Sequence, residues 1–209
     1  MDTFELKREQ QRLARKVITQ STVEEIRTVG GASTQVLSPQ ELLASVVVCE
    51  FPTFKILELK TFVLRNPLPY KAGFEAYREM PAIIEAYNLL DTEPDVLLVR
   101  GAGVAHPRHI GIASHVGVEL NKATIGVCDH LNSGTVVDGE IILHNQVCGF
   151  EVTTRDHANP LYFSVGHMVS LEMIQKLIPQ LVCYPHKLPE PLHLAHKLAR
   201  KQVKEVLHV

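Results

Sequence analysis

Cysteine is scarce and unpatterned in this 209-residue sequence. Cys49, Cys128, Cys148 and Cys183 sit in apolar or mixed runs without CxxC spacing, so neither a disulfide framework nor a zinc knuckle is readable. Long apolar runs are missing too: none approaches the roughly 18 residues that span a bilayer. The N-terminus, MDTFELKREQQ, is charged from its second residue and has no apolar h-region, which argues against a signal peptide. A cytoplasmic, soluble protein is therefore the expectation. The chain has no internal repeat, low-complexity tract or linker, and 45% of its residues are hydrophobic against 21% charged. That composition excludes disorder and supports one domain over residues 1–209. A large charge excess is also absent, the net being −2 with His neutral. The total hides an asymmetry. Lys187, Lys197, Arg200, Lys201 and Lys204 oppose Glu190 and Glu205, a net of +3 in residues 186–209 that leaves −5 elsewhere. Eleven histidines add positive charge as pH falls through neutrality.

Hydrophobic periodicity predicts an amphipathic helix over 3–20, with Phe4, Leu13, Val17 and Ile18 as its stripe and Thr3 as N-cap. Gly30-Gly31 is expected to break the chain before Ala32–Val36. Ala44–Phe51 and Lys55–Leu64 are β-branched, alternating runs joined at Pro52, the pattern of an antiparallel pair. Arg65–Gly73 is a Pro/Gly-rich loop, and Met80–Leu90 a helix with Pro81 in its first turn. Asp95–Val99 and Ala123–Val127 have the continuous apolar form of strands buried on both faces. Ile110–Glu119 separates them as a helix. Gly134–Thr154 alternates like a hairpin around Asp138-Gly139, Leu161–Val165 is a last strand, and Ser170–Ile178 (Ser170 as N-cap) and Glu190–Leu207 are helices. Antiparallel strands first, then strand–helix alternation, imply an α/β fold: a mixed central sheet with helices on both faces.

Ligand sites in such sheets form beyond the carboxyl ends of strands. Three segments fall there. Pro69-Tyr70-Lys71-Ala72-Gly73 runs on to Tyr77-Arg78-Glu79, Arg100-Gly101-Ala102-Gly103 leads to His106-Pro107, and Gly126-Val127-Cys128-Asp129-His130 follows the next strand. A glycine turn after a buried strand lets a ligand approach the backbone, or is simply a tight turn. Tyr70 in a Pro-bounded loop can stack on a base or pack the loop onto the sheet.

Taken together and in order, these segments resemble the endonuclease V family. The likeness starts at the first helix and Gly31-Ala32 and continues through Tyr77-Arg78-Glu79-Met80-Pro81, Pro94-Asp95 and His106-Pro107-Arg108. It goes on through Gly111-Ile112-Ala113-Ser114-His115, Thr124-Ile125-Gly126-Val127, Asn159-Pro160 and Gly166-His167, and closes at Leu188-Pro189-Glu190-Pro191. The resemblance implies a ribonuclease H-like fold and Mg²⁺-dependent hydrolysis of a phosphodiester near a deaminated base, inosine above all, in DNA or RNA. It also implies a tyrosine wedge and a base pocket built largely of backbone.

Carried over residue by residue, the family pattern keeps Glu79 as catalytic and metal-binding carboxylate and His196 on the last helix. Ser33 stands where the first-strand aspartate is expected, Arg100 where the aspartate before the glycine turn belongs, and Asp129 at the position of a lysine. Magnesium prefers several hard oxygen donors, so cleavage is expected to be lost or impaired. On the recognition side, Pro69, Tyr70, Lys71, Gly73, Arg100, Gly101, Gly103, His106 and Gly126 form the candidate nucleic-acid surface. Ala102 replaces a histidine, and Glu75 an apolar pocket residue. Arg100 either lies between Glu79 and an incoming phosphate, supplying the metal's charge, or pairs with Glu79 and closes the site. A soft-metal cluster of Cys128, Asp129, His130 and His106 lacks ligand spacing.

On the last helix, Leu192, Ala195, Ala199, Val203 and Val206 fall on an inward stripe with His196 beside it. His193, Lys197, Arg200, Lys201, Lys204 and His208 fall on a basic side that tracks phosphate or is merely solvated. The favoured reading is an endonuclease V-like DNA- or RNA-binding protein with a degenerate active site. The alternatives are an active metal-dependent repair nuclease and a protein-interaction scaffold.

Overall fold

The described residues of the computed structural model are 2–207 for the backbone and 2–201 for the side chains. In chain order they form α1 (Thr3–Ala14), β1 (Thr28–Ser38), β2 (Glu41–Glu50), β3 (Ile56–Arg65), α2 (Glu75–Asn88), β4 (Val96–Arg100), α3 (Ile112–Leu120) and β5 (Thr124–Cys128). There follow β6 (Thr135–Val137), β7 (Glu140–Leu143), β8 (Gln146–Val152), β9 (Leu161–His167), α4 (Leu171–Leu181) and α5 (Glu190–Leu207). The strands share one sheet, ordered β3-β2-β1-β4-β5-β9-β8-β7-β6. β4 is parallel to both β1 and β5, and the other pairs are antiparallel. The mixed sheet follows from the connections: short turns link antiparallel strands, and a helix makes each parallel crossover.

Helices cover both faces of the sheet. α2 and α3 bury Ala82, Ile83, Ala86, Ala113 and Val116 with Ala32, Leu42, Val46, Leu97 and Val99. On the other face, α4 and α5 bury Ile174, Leu177, Leu181, Leu192 and Ala195 with Val29, Val47, Leu98, Ile125 and Phe163. Successive strand residues point to opposite faces, so Leu97 and Leu98, or Val46 and Val47, serve different cores. β4 and β5 are buried nearly end to end, which is why they read as unbroken apolar runs; β2, expected to alternate, is buried on both faces as well.

Four stretches of the chain differ from expectation. α1 ends at Ala14, well short of 20, and its N-cap is Asp2, whose carboxylate accepts from Phe4 N–H at 3.0 Å, in place of Thr3. Beyond it Ile18 is bound elsewhere: its N–H donates to His167 Nδ1 at 3.1 Å, and its carbonyl accepts from Met168 N–H at 2.7 Å. Gly30-Gly31 does not break the chain but lies within β1. A Cβ on Gly31 would sit 2.2 Å from the Pro191 carbonyl oxygen, so glycine here admits the start of α5 onto the strand. α2 begins at Glu75, ahead of Met80, leaving Pro81 in its interior. The hydrogen bond to Tyr77 that proline forgoes is offset by the packed face of Ala82, Ile83 and Ala86. Finally, 134–154 is a three-stranded meander. Its first turn is the expected Asp138-Gly139, and its second is His144-Asn145, at φ 50° and 62°, a two-residue left-handed turn without the glycine that would announce it.

On α5, Leu192, Ala195 and Ala199 are buried, and Lys197, Arg200 and Lys201 exposed. His193 departs from the expected outward side: it is half-buried, stacked on His186 with ring centroids 3.5 Å apart. The side chains of Val203, Lys204 and Val206, and His208 altogether, lie outside the described residues. No helix among the described residues is long and apolar enough to cross a membrane.

Candidate nucleic-acid site

β4 delivers Arg100 and β5 delivers Cys128 to the same end of the sheet, at the carboxyl ends of adjacent parallel strands. The loop before α2 folds over them. Between them lies a cavity of about 510 Å³, lined by Tyr70, Gly73, Glu75, Glu79, Arg100, Gly101, Ala102, His106, Arg108, Cys128 and Asn132, among others. That volume suits a small ligand or one base. Tyr70 stands at its edge, 65% exposed. All three sequence segments thus contribute to the cavity.

Not every expected residue reaches it. Gly103 and Gly126 lie beneath: a Cβ on Gly126 would meet Gly103 N at 2.3 Å, and one on Gly103 would meet the Val165 carbonyl oxygen at 2.0 Å. They let the Arg100–Gly103 turn pack on the sheet. Lys71 bends back to donate to Thr3 Oγ1 and covers the Phe74 ring, 5.5 Å from its centroid. Pro69 is exposed outside the lining.

Arg100 meets Asp129, not Glu79. Its guanidinium donates to Asp129 Oδ2, and Lys187 Nζ reaches Asp129 Oδ1 at 3.2 Å. One carboxylate thus holds two cations at the head of β4. The two expectations that put Arg100 against Glu79 are corrected accordingly, because alternation separates these groups. Thr34 points to the α2 face, where its hydroxyl donates to Glu79 Oε2 at 2.6 Å. Ser33 is buried on the opposite side of β1, the side from which Gln35 comes within 3.4 Å of His196 Nδ1. Burial raises the Glu79 carboxyl above its usual range, against the Thr34 bond, and the nearby Glu75 charge adds to the rise. His196 is shifted down, first by burial and then by Arg100 and Arg200.

A divalent ion fits this donor set poorly. Mg²⁺ needs several hard oxygens in near-octahedral array. Asp129 is committed to two cations, Ser33 adds no charge, and Arg100 brings positive charge to the strand end. Among the described residues no group of three or more His, Cys, Asp and Glu side chains could hold a metal. The soft-metal cluster fails for the same reason. Cys128 is kept a thiol, its pKa pushed up to about 12 by burial, and His106 is bonded elsewhere.

That bonding was not visible in the sequence. The Gly73 carbonyl, at the end of the tyrosine loop, accepts from Gln10 Nε2 at 3.0 Å, Arg108 Nη2 at 2.6 Å and His106 Nε2 at 3.1 Å. A carbonyl can only accept, so Nε2 carries the imidazole proton, and Nδ1 accepts from Arg108 N–H at 3.3 Å. Burial pulls the His106 pKa down to about 4, with the Arg108 charge helping, so the ring is neutral at physiological pH. Arg108 also donates to Gln10 Oε1 and lies over Phe74, 4.7 Å from the ring centroid. α1 thereby pins the loop from 63 residues away in sequence. Only the positive φ of Gly73, 76°, had a local signal, its glycine.

The basic side of α5 forms a second concavity of about 450 Å³, lined by His193, His196, Lys197, Leu198, Arg200 and Lys201. Lys197 and Lys201 belong to this groove and not to the cavity.

Sheet order, crossovers and flanking helices define a ribonuclease H-like fold. The sequence matches the Endonuclease V family over residues 11–197. It is 33% identical over 200 residues to Endonuclease V of Dictyoglomus thermophilum, covering 92% of this chain and 87% of that protein. It is 36% identical over 198 residues to Endonuclease V of Roseiflexus sp., with 91% and 88% covered. The chain belongs to the endonuclease V family. Human ENDOV superposes with a TM-score of 0.87 at 28% identity, over 98% of this chain and all (100%) of that one. Ciona intestinalis Endonuclease V, bound to a 24mer DNA containing an inosine followed by a ribo-adenosine, gives 0.85 at 26% identity, over 97% and 98%.

Proposed function

We propose that this chain binds a strand of DNA or RNA across the cavity at the ends of β4 and β5 and has lost metal-dependent cleavage. The observation that carries this reading is the Arg100–Asp129–Lys187 cluster, which puts fixed cations at the strand end of a family fold. A guanidinium held by one carboxylate keeps further N–H donors for a phosphate. Glu79 and His196 remain from the family's chemical set but face different sides of β1, with Ser33, Arg100 and Asp129 in the other positions. Tyr70 stacks on an unpaired base, and the cavity receives it. The inosine in the DNA bound by the Ciona protein supports a base of that kind. Lys197 and Lys201 extend the phosphate track along α5. The chain acts as one domain, and a cytoplasmic location goes with this role.

The test uses purified protein with inosine-containing single-stranded DNA and RNA in Mg²⁺, Mn²⁺ or EDTA. Binding that persists in EDTA, weakens steeply with salt and leaves the strand intact is the expected result. Nicking in metal would establish an active nuclease instead, and no binding under any condition would leave the fold as a protein scaffold.

A further inference from the structure

Strand binding leaves a pair of histidines unused. His109 closes the turn after β4, its N–H donating to the His106 carbonyl at 2.8 Å. His144 opens the tight turn between β7 and β8. Both backbones are left-handed, at φ 53° and 50°, and they bring together two imidazoles that are 35 residues apart in sequence. His109 Nε2 and His144 Nδ1 are separated by 2.8 Å, with ring centroids 4.9 Å apart and planes inclined at 56°. Two ring nitrogens therefore meet on a surface remote from the donors around Glu79.

Neutral imidazole is a ligand for copper, nickel and zinc, and burial together with His144 favours the neutral form of His109. The spacing selects among these ions. With metal–nitrogen bonds of about 2.0 Å, two ligands at a right angle lie ~2.8 Å apart, and two at the tetrahedral angle ~3.3 Å. The pair has the first spacing, the one that square-planar and tetragonal Cu²⁺ and Ni²⁺ use. One of the two nitrogens carries the proton they share. On metal binding that proton passes to the other nitrogen of its own ring, and each ring turns its lone pair toward the ion. His144 is exposed, which leaves room for the turn. His186 and His193, the stacked pair, differ: their rings are nearly parallel, at 12°, so their in-plane lone pairs do not converge. We infer that His109 and His144 are the two protein ligands of a tetragonal Cu²⁺ or Ni²⁺ site whose remaining positions hold water. Such a pair is smaller than the three-residue groups that are absent among the described residues. A bound ion joins the β7–β8 turn to the turn whose His106 and Arg108 hold the Gly73 carbonyl.

The test is a titration of the untagged full chain with Cu²⁺, read by pulsed electron paramagnetic resonance, which counts the imidazoles on the ion. At the first equivalent the spectrum is tetragonal with two imidazoles, and Ni²⁺ competes for the same site. The variants are chosen to suit the backbone: His144→Gly at a φ that glycine tolerates, and His109→Asn at one that asparagine tolerates. Each binds the first equivalent on the order of 10²-fold more weakly, because the remaining ring loses the effective concentration of its partner. The double variant binds no more weakly than either single one, as expected for two residues that act as a unit. Melting temperatures without metal check that all three fold. A first equivalent on a single imidazole, or an affinity unchanged in either variant, overturns the inference and makes the copper adventitious. A double variant much weaker than both single ones also overturns it, because the rings would then bind independently. Strand binding enters none of these measurements.

Discussion

Arg100→Ala separates a binding cation from a structural one. The Arg100 side chain is 32% exposed, and Asp129 keeps Lys187 at 3.2 Å when the guanidinium is removed. No carboxylate is stranded, so the stability cost stays below about 1 kcal/mol, as for other partly exposed ion pairs. Strand affinity behaves differently. A phosphate contact from a guanidinium contributes about 1.5–3 kcal/mol, and breaking part of the Asp129 interaction to form it offsets some of that. A net near 1.4 kcal/mol is about tenfold in Kd. The salt dependence supplies the sharper reading, because each phosphate neutralised on a single strand contributes about 0.7 to the slope of log K against log salt. Fluorescence anisotropy with a single-stranded oligonucleotide across a salt series in EDTA is the assay. The variant binds about tenfold more weakly with a slope shallower by about 0.7, while its thermal melt is nearly unchanged. An unaltered slope would show that Arg100 serves Asp129 alone, and a collapsed melting temperature would show that the cluster is structural.

The Ser33→Asp, Arg100→Asp double change buries a carboxylate at a site only 2% exposed. Its melting temperature therefore falls in EDTA and recovers in millimolar Mg²⁺; identical melts in the two buffers would refute the account of why a divalent ion does not fit. His106 has its pKa lowered to about 4, so the unfolded chain binds the proton first as pH falls. Its contribution is complete above about pH 6.5 and is lost on descending toward 4, on the order of 3 kcal/mol; urea melts from pH 7.5 to 4 measure it, and His106→Gln flattens that part of the profile. Gly31→Ala brings a methyl 2.2 Å from the Pro191 carbonyl, which forces the start of α5 off β1; a loss of about 3 kcal/mol or more in chemical unfolding is expected, against little effect if α5 slides freely.

The elements legible in the sequence were those whose burial imposes a period. β4 and β5 show as apolar runs because both faces are covered, and α5 shows as an 18-residue amphipathic helix with the bounds its pattern implies. Ser170 caps α4 as expected, accepting from Met173 N–H at 3.2 Å. The pieces hidden from the sequence are those settled by distant partners. α1 stops where Ile18 turns to bond Met168 and His167, and Gly30-Gly31 reads as a break until α5 is laid against it. The candidate site divides the same way. Tyr70, Glu75, Glu79, Arg100 and His106 were each singled out in sequence and meet at one cavity, whereas Gln10, Thr34 and Lys187 gave no local sign of the bonds they make there.

The family and the fold class were determined by the sequence alone, because they depend on residue identity and order. Which charge answers which was decided only in three dimensions. Arg100 and Glu79 are adjacent in any list of site residues, yet the alternation of β1 sends Glu79 to Thr34 on one face. The turn after β5 meanwhile brings Asp129, and with it Lys187, to Arg100. Electrostatic partnership is set by distance and local dielectric, not by separation along the chain.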